Sequence, residues 1–413
     1  MPAALRHNPI PQYFMTSHNF PNLKLKRNEE RRLMAGHQWV FSNEVDTEKT
    51  PLTAFKAGDL CRVVSDRDKF LGYAYINPHA LICARILSRD PNHAPGDESL
   101  IVLRLQTALT LRQRVYSQPF YRLVFGESDQ LPGLVLDRFG DVIVGQIGTM
   151  GMEAMKPHIV TAVKQVINPK GMLWKNDSGA RDLENLPSYV EVAFGSVPEQ
   201  VSIQESGVTF SIPVHDGQKT GWFYDQAINR QSLLKYVKGL KVLDVFSYLG
   251  AWGLSAAKAG AAEVTCVDSS AKAIELIETA ATANSLSVNT IKGDAFDALE
   301  SLYAQGRKFD VVIIDPPAFI KRKKDIPKGQ AAYKRLNQLA MQLVEREGLL
   351  VSCSCSYHLE SVSLVDAIQR AARHLNKFAQ IIEVGGQSPD HPIHPAIAES
   401  HYLKAFTARV VGD

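Results

Sequence analysis

Four aspartates and a pair of thiols carry the chemistry this sequence has to offer. Asp244, Asp268, Asp294 and Asp315 recur down the C-terminal half, each at the close of a short apolar run, in VLDVFSYLGAWG, VTCVD, IKGDAF and VVIIDPPAF. The next apolar run ends in Cys353-Ser354-Cys355. Apolar runs of this kind are the strands of a parallel sheet buried on both faces, and ligands bind outside the carboxyl ends of such strands. Acidic groups and a nucleophile are therefore expected on one edge, around one cleft.

The turn after the first run holds Gly250 and Gly253, only part of the G-x-G-x-x-G pattern that seats a pyrophosphate on a helix N-terminus. A carboxylate at Asp244 would repel pyrophosphate but suits the ammonium of an amino-acid group such as that of S-adenosylmethionine. Asp268 stands where a carboxylate accepts two ribose hydroxyls, and Asp294 where one accepts from the adenine amine. Phe246, Ser247, Tyr248 and Gly250 in the turn, with Ser269 and Ala295 beside the later acids, complete the expected cofactor contacts, and Asp315 closes the set. Any single strand-terminal Asp could equally cap a helix. As a set followed by Pro316-Pro317, they point to S-adenosylmethionine as cofactor and S-adenosylhomocysteine as product.

The elements that must position these residues follow from composition and periodicity. A chain of 413 residues with 45% hydrophobic content can bury more than one core, in about two or three domains. Residues 1–20, rich in Pro, Asn and His, are expected to be flexible. Residues 21–92 alternate in short runs broken by turn residues, which predicts a small β-barrel, and 90–99 has linker composition. An α+β middle domain is expected over 99–205, with helices near 101–115 and 154–167, a hairpin turning at Asp137-Arg138-Phe139-Gly140-Asp141 and a strand MLWKN. Residues 206–413 read as a doubly wound α/β domain.

Five cysteines show neither metal-ligand spacing nor an even-numbered disulfide pattern, which predicts a reducing compartment and no metal. No run of roughly 18 apolar residues occurs, so no membrane partner and a cytoplasmic location are expected. A net charge of +3 is only mildly basic, so any nucleic-acid surface must be local.

With Gln218-Lys219-Thr220-Gly221-Trp222-Phe223-Tyr224-Asp225-Gln226 and the closing HYLKAF, the C-terminal part resembles class I S-adenosylmethionine-dependent methyltransferases. Over about residues 23–411 the chain resembles the RlmI-like ribosomal RNA cytosine-5 methyltransferases, and Gly36-His37-Gln38-Trp39-Val40-Phe41 is similar to the opening of that family's PUA domain. The resemblance implies an α/β fold with a C-terminal Rossmann-like methyltransferase sheet, preceded by a PUA-type RNA-binding barrel and an α+β middle domain. It further implies large-subunit ribosomal RNA as partner, and Gln218, Thr220, Gly221, Asp225 and Gln226 beside the cofactor. A homodimer is compatible with it.

Carbon 5 of cytosine is barely nucleophilic until a thiolate adds at carbon 6, so this chemistry demands a cysteine in the cleft. The resemblance assigns that role to Cys355. Cys353 is its competitor, because alternate residues of a strand share a face. Asp315 is expected to hydrogen-bond ring nitrogen 3 of the cytosine or to cap the following loop. Many RNA cytosine-5 enzymes carry a second cysteine after Pro-Pro, where this chain has Ala318, so the base that removes the carbon-5 proton stays open. Exocyclic-amine methylation is the rival activity, although Phe319 stands one place late for its Pro-Pro-aromatic signature. A non-catalytic ribosome assembly factor is the rival from another class.

Two basic runs are candidate RNA contacts: Lys321, Arg322, Lys323 and Lys324 after Asp-Pro-Pro, and Lys24, Lys26 and Arg27 in the N-terminal barrel. Trp39 is expected in the barrel core rather than as a stacking platform. Lys175, Asn176, Asp177 and Arg181 match a loop that the resemblance places near the cleft. His215, His358, His391 and His394 read as ordinary polar positions.

Overall fold

A computed structural model describes residues Phe20 to Gly412, so residues 1–19 of the N-terminal segment expected to be flexible lie outside the described residues. The first sheet contains β1 (Asn22–Lys24), β2 (Trp39–Phe41), β3 (Leu60–Val64), β4 (Phe70–Ile76) and β5 (Ile82–Ser88), in the order β1-β3-β4-β5-β2, with helix α1 (Arg31–Met34) between β1 and β2. A bridge between Leu25 and Val45 brings its two edges together. Alternation along the strands sends Leu23, Val40, Cys61, Val63, Ala74, Cys83 and Ile86 into a common interior. Trp39 is not part of it. Half-exposed, it donates its indole N–H to Glu127 Oε1 at 2.8 Å, because the barrel meets the next domain there and the ring's polar edge finds a partner at that seam.

The second sheet follows α2 (Ser99–Val115). It comprises β6 (Phe120–Phe125), β7 (Leu134–Phe139), β8 (Val142–Ile147), β9 (Gly171–Asn176) and β10 (Tyr189–Gly195), in the order β10-β9-β8-β7-β6. Only β8 and β9 are parallel, and their crossover carries α3 (Met150–Ala154) and α4 (Lys156–Val166). The residues Lys175, Asn176, Asp177 and Arg181 brace this domain instead of facing a cleft. Asn176 Oδ1 accepts the Ile147 N–H at 2.7 Å, Lys175 pairs with Asp177, and buried Arg181 holds the Ile147 carbonyl and Glu153.

A hairpin of β11 (Gln200–Glu205) and β12 (Val208–Pro213) turns through Ser206 and Gly207, both left-handed. The boundary expected at 205/206 falls inside that turn. The inner face of the hairpin, Val201, Ile203, Phe210 and Ile212, packs in the same core as Val242 and Ile313 of the following sheet. A two-residue turn between paired strands cannot separate domains.

The last sheet is built from β13 (Lys241–Val245), β14 (Glu263–Asp268), β15 (Asn289–Lys292), β16 (Phe309–Ile314), β17 (Val344–Ser354), β18 (Lys377–Gly385) and β19 (Lys404–Gly412), in the order β15-β14-β13-β16-β17-β19-β18. Strands β13 to β17 are parallel, and β19 runs antiparallel to both its neighbours. Helices α5 (Ala227–Leu233), α6 (Ala251–Lys258), α7 (Ala271–Ala283), α8 (Ala295–Ala304), α9 (Ile326–Gln342) and α10 (Ser361–His374) cover it. Val242, Ile313, Val351 and Cys353 point into one core and Leu243, Val312 and Leu350 into the other, which is why these strands read as unbroken apolar runs. Strand order reverses between β13 and β16, and the crevice at that switch point is where the expected residues gather. Among the described residues no helix is long and apolar enough to cross a membrane.

Candidate active site

The chain leaves β13 and enters α6 through a turn in which Phe246, Tyr248 and Gly250 are all left-handed, at φ 67°, 51° and 76°. Two such non-glycine residues persist only where neighbours hold them. Here the N–H groups of Phe246 and Ser247 both reach the Val267 carbonyl at 3.0 Å, and Tyr248 N–H reaches Asp268 Oδ2 at 2.9 Å. Asp268, half-exposed at the end of β14, also accepts from Ser270 N–H through Oδ1. Its carboxylate thus shapes the turn and still faces the crevice.

Asp244 lies deeper than expected. It is fully buried, Oδ2 accepts the Gly253 N–H at 3.0 Å, and Oδ1 has no partner among the described residues. Burial, helped by the negative charges of Asp315 and Asp268, pushes its carboxyl up to about 7. It fastens the start of α6 from beneath, deeper in the sheet than the crevice surface. Asp294 is exposed and caps α8, accepting the Phe296 and Asp297 N–H groups at 2.9 and 3.4 Å, with exposed Ser269 across the crevice edge and Ala295 buried behind.

The segment from Gln218 to Gln226 divides between two tasks. Tyr248 Oη accepts the Gln218 N–H and donates to the Gly221 carbonyl, at 3.1 and 3.0 Å, which lays those two residues against the cofactor turn. Thr220, Asp225 and Gln226 are buried supports. Thr220 donates to Asp137 of β7, Asp225 accepts from Tyr402, and Gln226 Nε2 donates to Asp315 Oδ1 at 2.9 Å. Burial alone would raise the Asp225 carboxyl, but His391, Lys219, Tyr402 and Arg122 hold it down at about 2.

Asp315, half-exposed just past β16, accepts from Gln226 on one oxygen and from Trp252 Nε1 on the other, at 3.1 Å. Burial, reinforced by Asp225, lifts its carboxyl to about 6. Cys353, opposite Ala405 inside the sheet, is fully buried and its thiol is pushed far above the ordinary range. Cys355 is the first residue beyond β17. It is half-exposed, with Sγ 3.9 Å from the Pro316 carbonyl, so it is the thiol that opens beside Asp-Pro-Pro. Burial raises it to about 11, against a downward pull from Lys219. The residues either side are clamped: Ser354 and Ser356 hydroxyls both bond Tyr333 Oη, at 2.9 and 3.0 Å, and Lys404 Nζ donates to the Ser356 carbonyl at 2.7 Å.

Sequence reasoning does not single out Trp252, Tyr333, Tyr402 or Lys404. The closing HYLKAF stands out as a motif, but nothing in its spacing shows that it folds against Cys355. His391, expected to be an ordinary polar residue, is buried with Nδ1 2.8 Å from Asp390 Oδ1.

The basic loop is exposed throughout Lys321, Arg322, Lys323 and Lys324, with Arg322 paired to Asp325. It leads into a groove of about 630 Å³ between α9 and α10 lined by Lys334, Arg370, Arg373 and His374, with Asp366 paired to Arg370. In the barrel, Lys24 is tied to Asp68 and Lys26 to the Asn43 carbonyl, while Arg27 is exposed. Among the described residues no His, Cys, Asp or Glu cluster is arranged to hold a metal ion.

Residues 23–89 match the family described as PUA-like domain, and residues 227–380 the family described as conserved hypothetical protein 95. A Shewanella denitrificans protein named ribosomal RNA large subunit methyltransferase I is 34% identical over 395 residues, covering 94% of this chain and 99% of its own. A Vibrio cholerae protein of the same name is 33% identical over 401 residues, covering 95% and 100%. Among solved structures, a Streptococcus mutans protein described as a SAM-dependent methyltransferase aligns with a TM-score of 0.78 at 23% identity, over 94% of this chain and 100% of its own. Another methyltransferase, solved in complex with SAH, aligns at 0.80 with the same identity and coverage. At those identities the likeness establishes the fold, a Rossmann-like methyltransferase sheet behind a PUA-like barrel.

Proposed function

The chain belongs to the ribosomal RNA large subunit methyltransferase I family, and on that premise we propose that it methylates carbon 5 of a cytosine in large-subunit ribosomal RNA, with Cys355 as covalent nucleophile. The observation that carries this is the partly buried Cys355, whose thiol lies 3.9 Å from the carbonyl of Pro316, the residue after Asp315.

The crevice fits S-adenosylmethionine better than a dinucleotide. The turn lacks a full phosphate-seating glycine run, and half-exposed Asp268 at the end of β14 is an acceptor for ribose hydroxyls. Gln218, Phe246, Ser247, Tyr248, Gly250, Asp268, Ser269, Asp294 and Ala295 would hold it. When bound, this cofactor supplies an electrophilic methyl group.

The residues of the chain do the rest. Cys355, ionised, adds its sulfur to carbon 6 of the cytosine, and the displaced electrons move toward nitrogen 3, where Asp315 in its protonated form donates a hydrogen bond. Carbon 5 then takes the methyl group. Loss of the carbon-5 proton restores the double bond and expels Cys355. Amine methylation would ask Phe319 to stack on a flipped base, yet that ring packs against Tyr333 with centroids 4.9 Å apart. Mass analysis of nucleosides from ribosomal RNA methylated by the purified protein separates the activities: 5-methylcytosine is expected, whereas a methylated exocyclic amine would refute the proposal.

For the RNA contacts, the exposed Lys321–Lys324 loop and the α9–α10 groove are favoured over the barrel lysines, of which Lys24 is already paired with Asp68. Replacing Lys321, Lys323 and Lys324 with Gln is expected to flatten the salt dependence of RNA affinity by about 0.7 in log–log slope for each phosphate no longer neutralised. A titration series in potassium chloride checks this. An unchanged slope would place the RNA elsewhere.

A further inference from the structure

Five lysine or arginine residues are buried among the described residues: Arg112, Lys175, Arg181, Arg230 and Lys404. Four have a carboxylate at hand, Arg112 with Asp129 at 2.7 Å, Lys175 with Asp177 at 2.6 Å, Arg181 with Glu153 at 2.9 Å and Arg230 with Glu205 at 2.5 Å. Lys404 has none. At 6% exposure it makes one hydrogen bond among the described residues, to the Ser356 carbonyl. A buried ammonium without an anion is costly, so an unpaired one invites the question of which anion it awaits.

The candidate is adjacent. Lys404 opens β19 directly opposite Ser354, and its side chain reaches past the strand end to the carbonyl that follows Cys355. The geometry points to Lys404 as a positioning residue whose absent counter-ion is the Cys355 sulfur once it ionises.

Burial pulls the Lys404 ammonium down to about 8, while a charge on Cys355 favours it. Coulomb's law makes that attraction mutual while both groups are charged, although with the thiol protonated the cation that pulls Cys355 down is Lys219. The other charged and titratable groups facing Cys355 are Lys219, which is exposed, the carboxylates of Asp315 and Asp225, the phenols of Tyr333 and Tyr402, and the buried thiol of Cys353. Both carboxylates oppose a thiolate. The thiol proton passes to solvent, Lys404 keeps its own proton, and its charge stays fixed beside sulfur while the bond to carbon 6 forms and later breaks.

The role rests on Cys355 being the nucleophile, but its test does not need turnover. Iodoacetamide alkylation of Cys355 in the full-length protein, read by peptide mass between pH 7 and 9.5, reports the thiolate fraction. In the unaltered protein the logarithm of the rate should bend downward near pH 8, where the lysine charge is lost. Lys404→Met should react about tenfold more slowly at pH 7 and show no bend. Lys404→Arg should keep the fast rate and also lose the bend, since its charge does not titrate. Equal rates in all three proteins would overturn the assignment.

Should Lys404→Met fail to fold, salt decides in the unaltered protein. A buried charge is screened little, so the alkylation rate should hold between low and high ionic strength. A rate that falls with added salt would transfer the role to exposed Lys219. Product formation by Cys355→Ala would remove the nucleophile assignment while leaving these alkylation results intact, so the two failures are told apart.

Discussion

Cys355→Ala is expected to lower methyl transfer by about four orders of magnitude or more, with affinity for S-adenosylmethionine unchanged. Without sulfur addition at carbon 6 the ring never becomes a carbon nucleophile, so no residual route of similar rate exists. The thiol lies past the end of β17 and, among the described residues, makes no hydrogen bond to the turn between β13 and α6, which is why binding should be spared. Cys353→Ala should behave oppositely. That side chain is wholly inside the sheet against Val351 and Ala405, so its loss leaves a small cavity, costs about 1 kcal/mol of stability and changes the rate less than threefold or so. Initial rates and thermal unfolding of the two variants measure both halves. A fast Cys355→Ala enzyme alongside a dead, well-folded Cys353→Ala enzyme would exchange their roles.

Asp315→Asn should lower kcat/KM at neutral pH by about 100-fold and alter the pH profile in a way no structural defect would. The Asp315 carboxyl is raised to about 6, so its protonated form prevails below that pH and is lost above it. Cys355 is raised to about 11, so its thiolate grows tenfold with each unit of pH up to about 8, where the Lys404 charge is lost. The product of the two required forms therefore climbs up to about pH 6 and then stays level to about pH 8, one group losing what the other gains, before falling where the Lys404 charge is lost. An asparagine cannot titrate. Its profile should continue to climb tenfold per unit through the same range. A level profile in Asp315→Asn would separate this carboxyl from the chemistry.

The fold was legible in the sequence because its sheet obeys a local rule. Strands buried on both faces read as unbroken apolar runs, and each of the first four ends in or near an acid that turns the chain toward a helix, as Asp268 and Asp294 do through N–H groups two or three residues ahead. Spacing locates such residues along the edge but says nothing of depth. Asp244 differs from Asp268 in burial, not in pattern, so the pattern does not tell that it holds Gly253 from below.

Partners far apart in the chain were equally invisible. Thr220 finds Asp137 across 83 positions and Asp225 finds Tyr402 across 177, so the side chains of two expected cofactor ligands are engaged within the protein. Trp39 sits outside the barrel core for the same reason, since its partner Glu127 belongs to another domain. The boundary expected at 205/206 lies at a hairpin turn, and a hairpin turn and a linker look alike until the pairing of Glu205 with Val208 is seen.

The most direct test is covalent capture. Large-subunit ribosomal RNA carrying 5-fluorocytosine cannot lose its carbon-5 substituent as a proton, so the protein with S-adenosylmethionine should accumulate a stable RNA complex, and digestion should find the RNA on the peptide containing Cys355. Methylation of ordinary RNA with no trapped complex, or a complex attached through any other residue, would contradict the account.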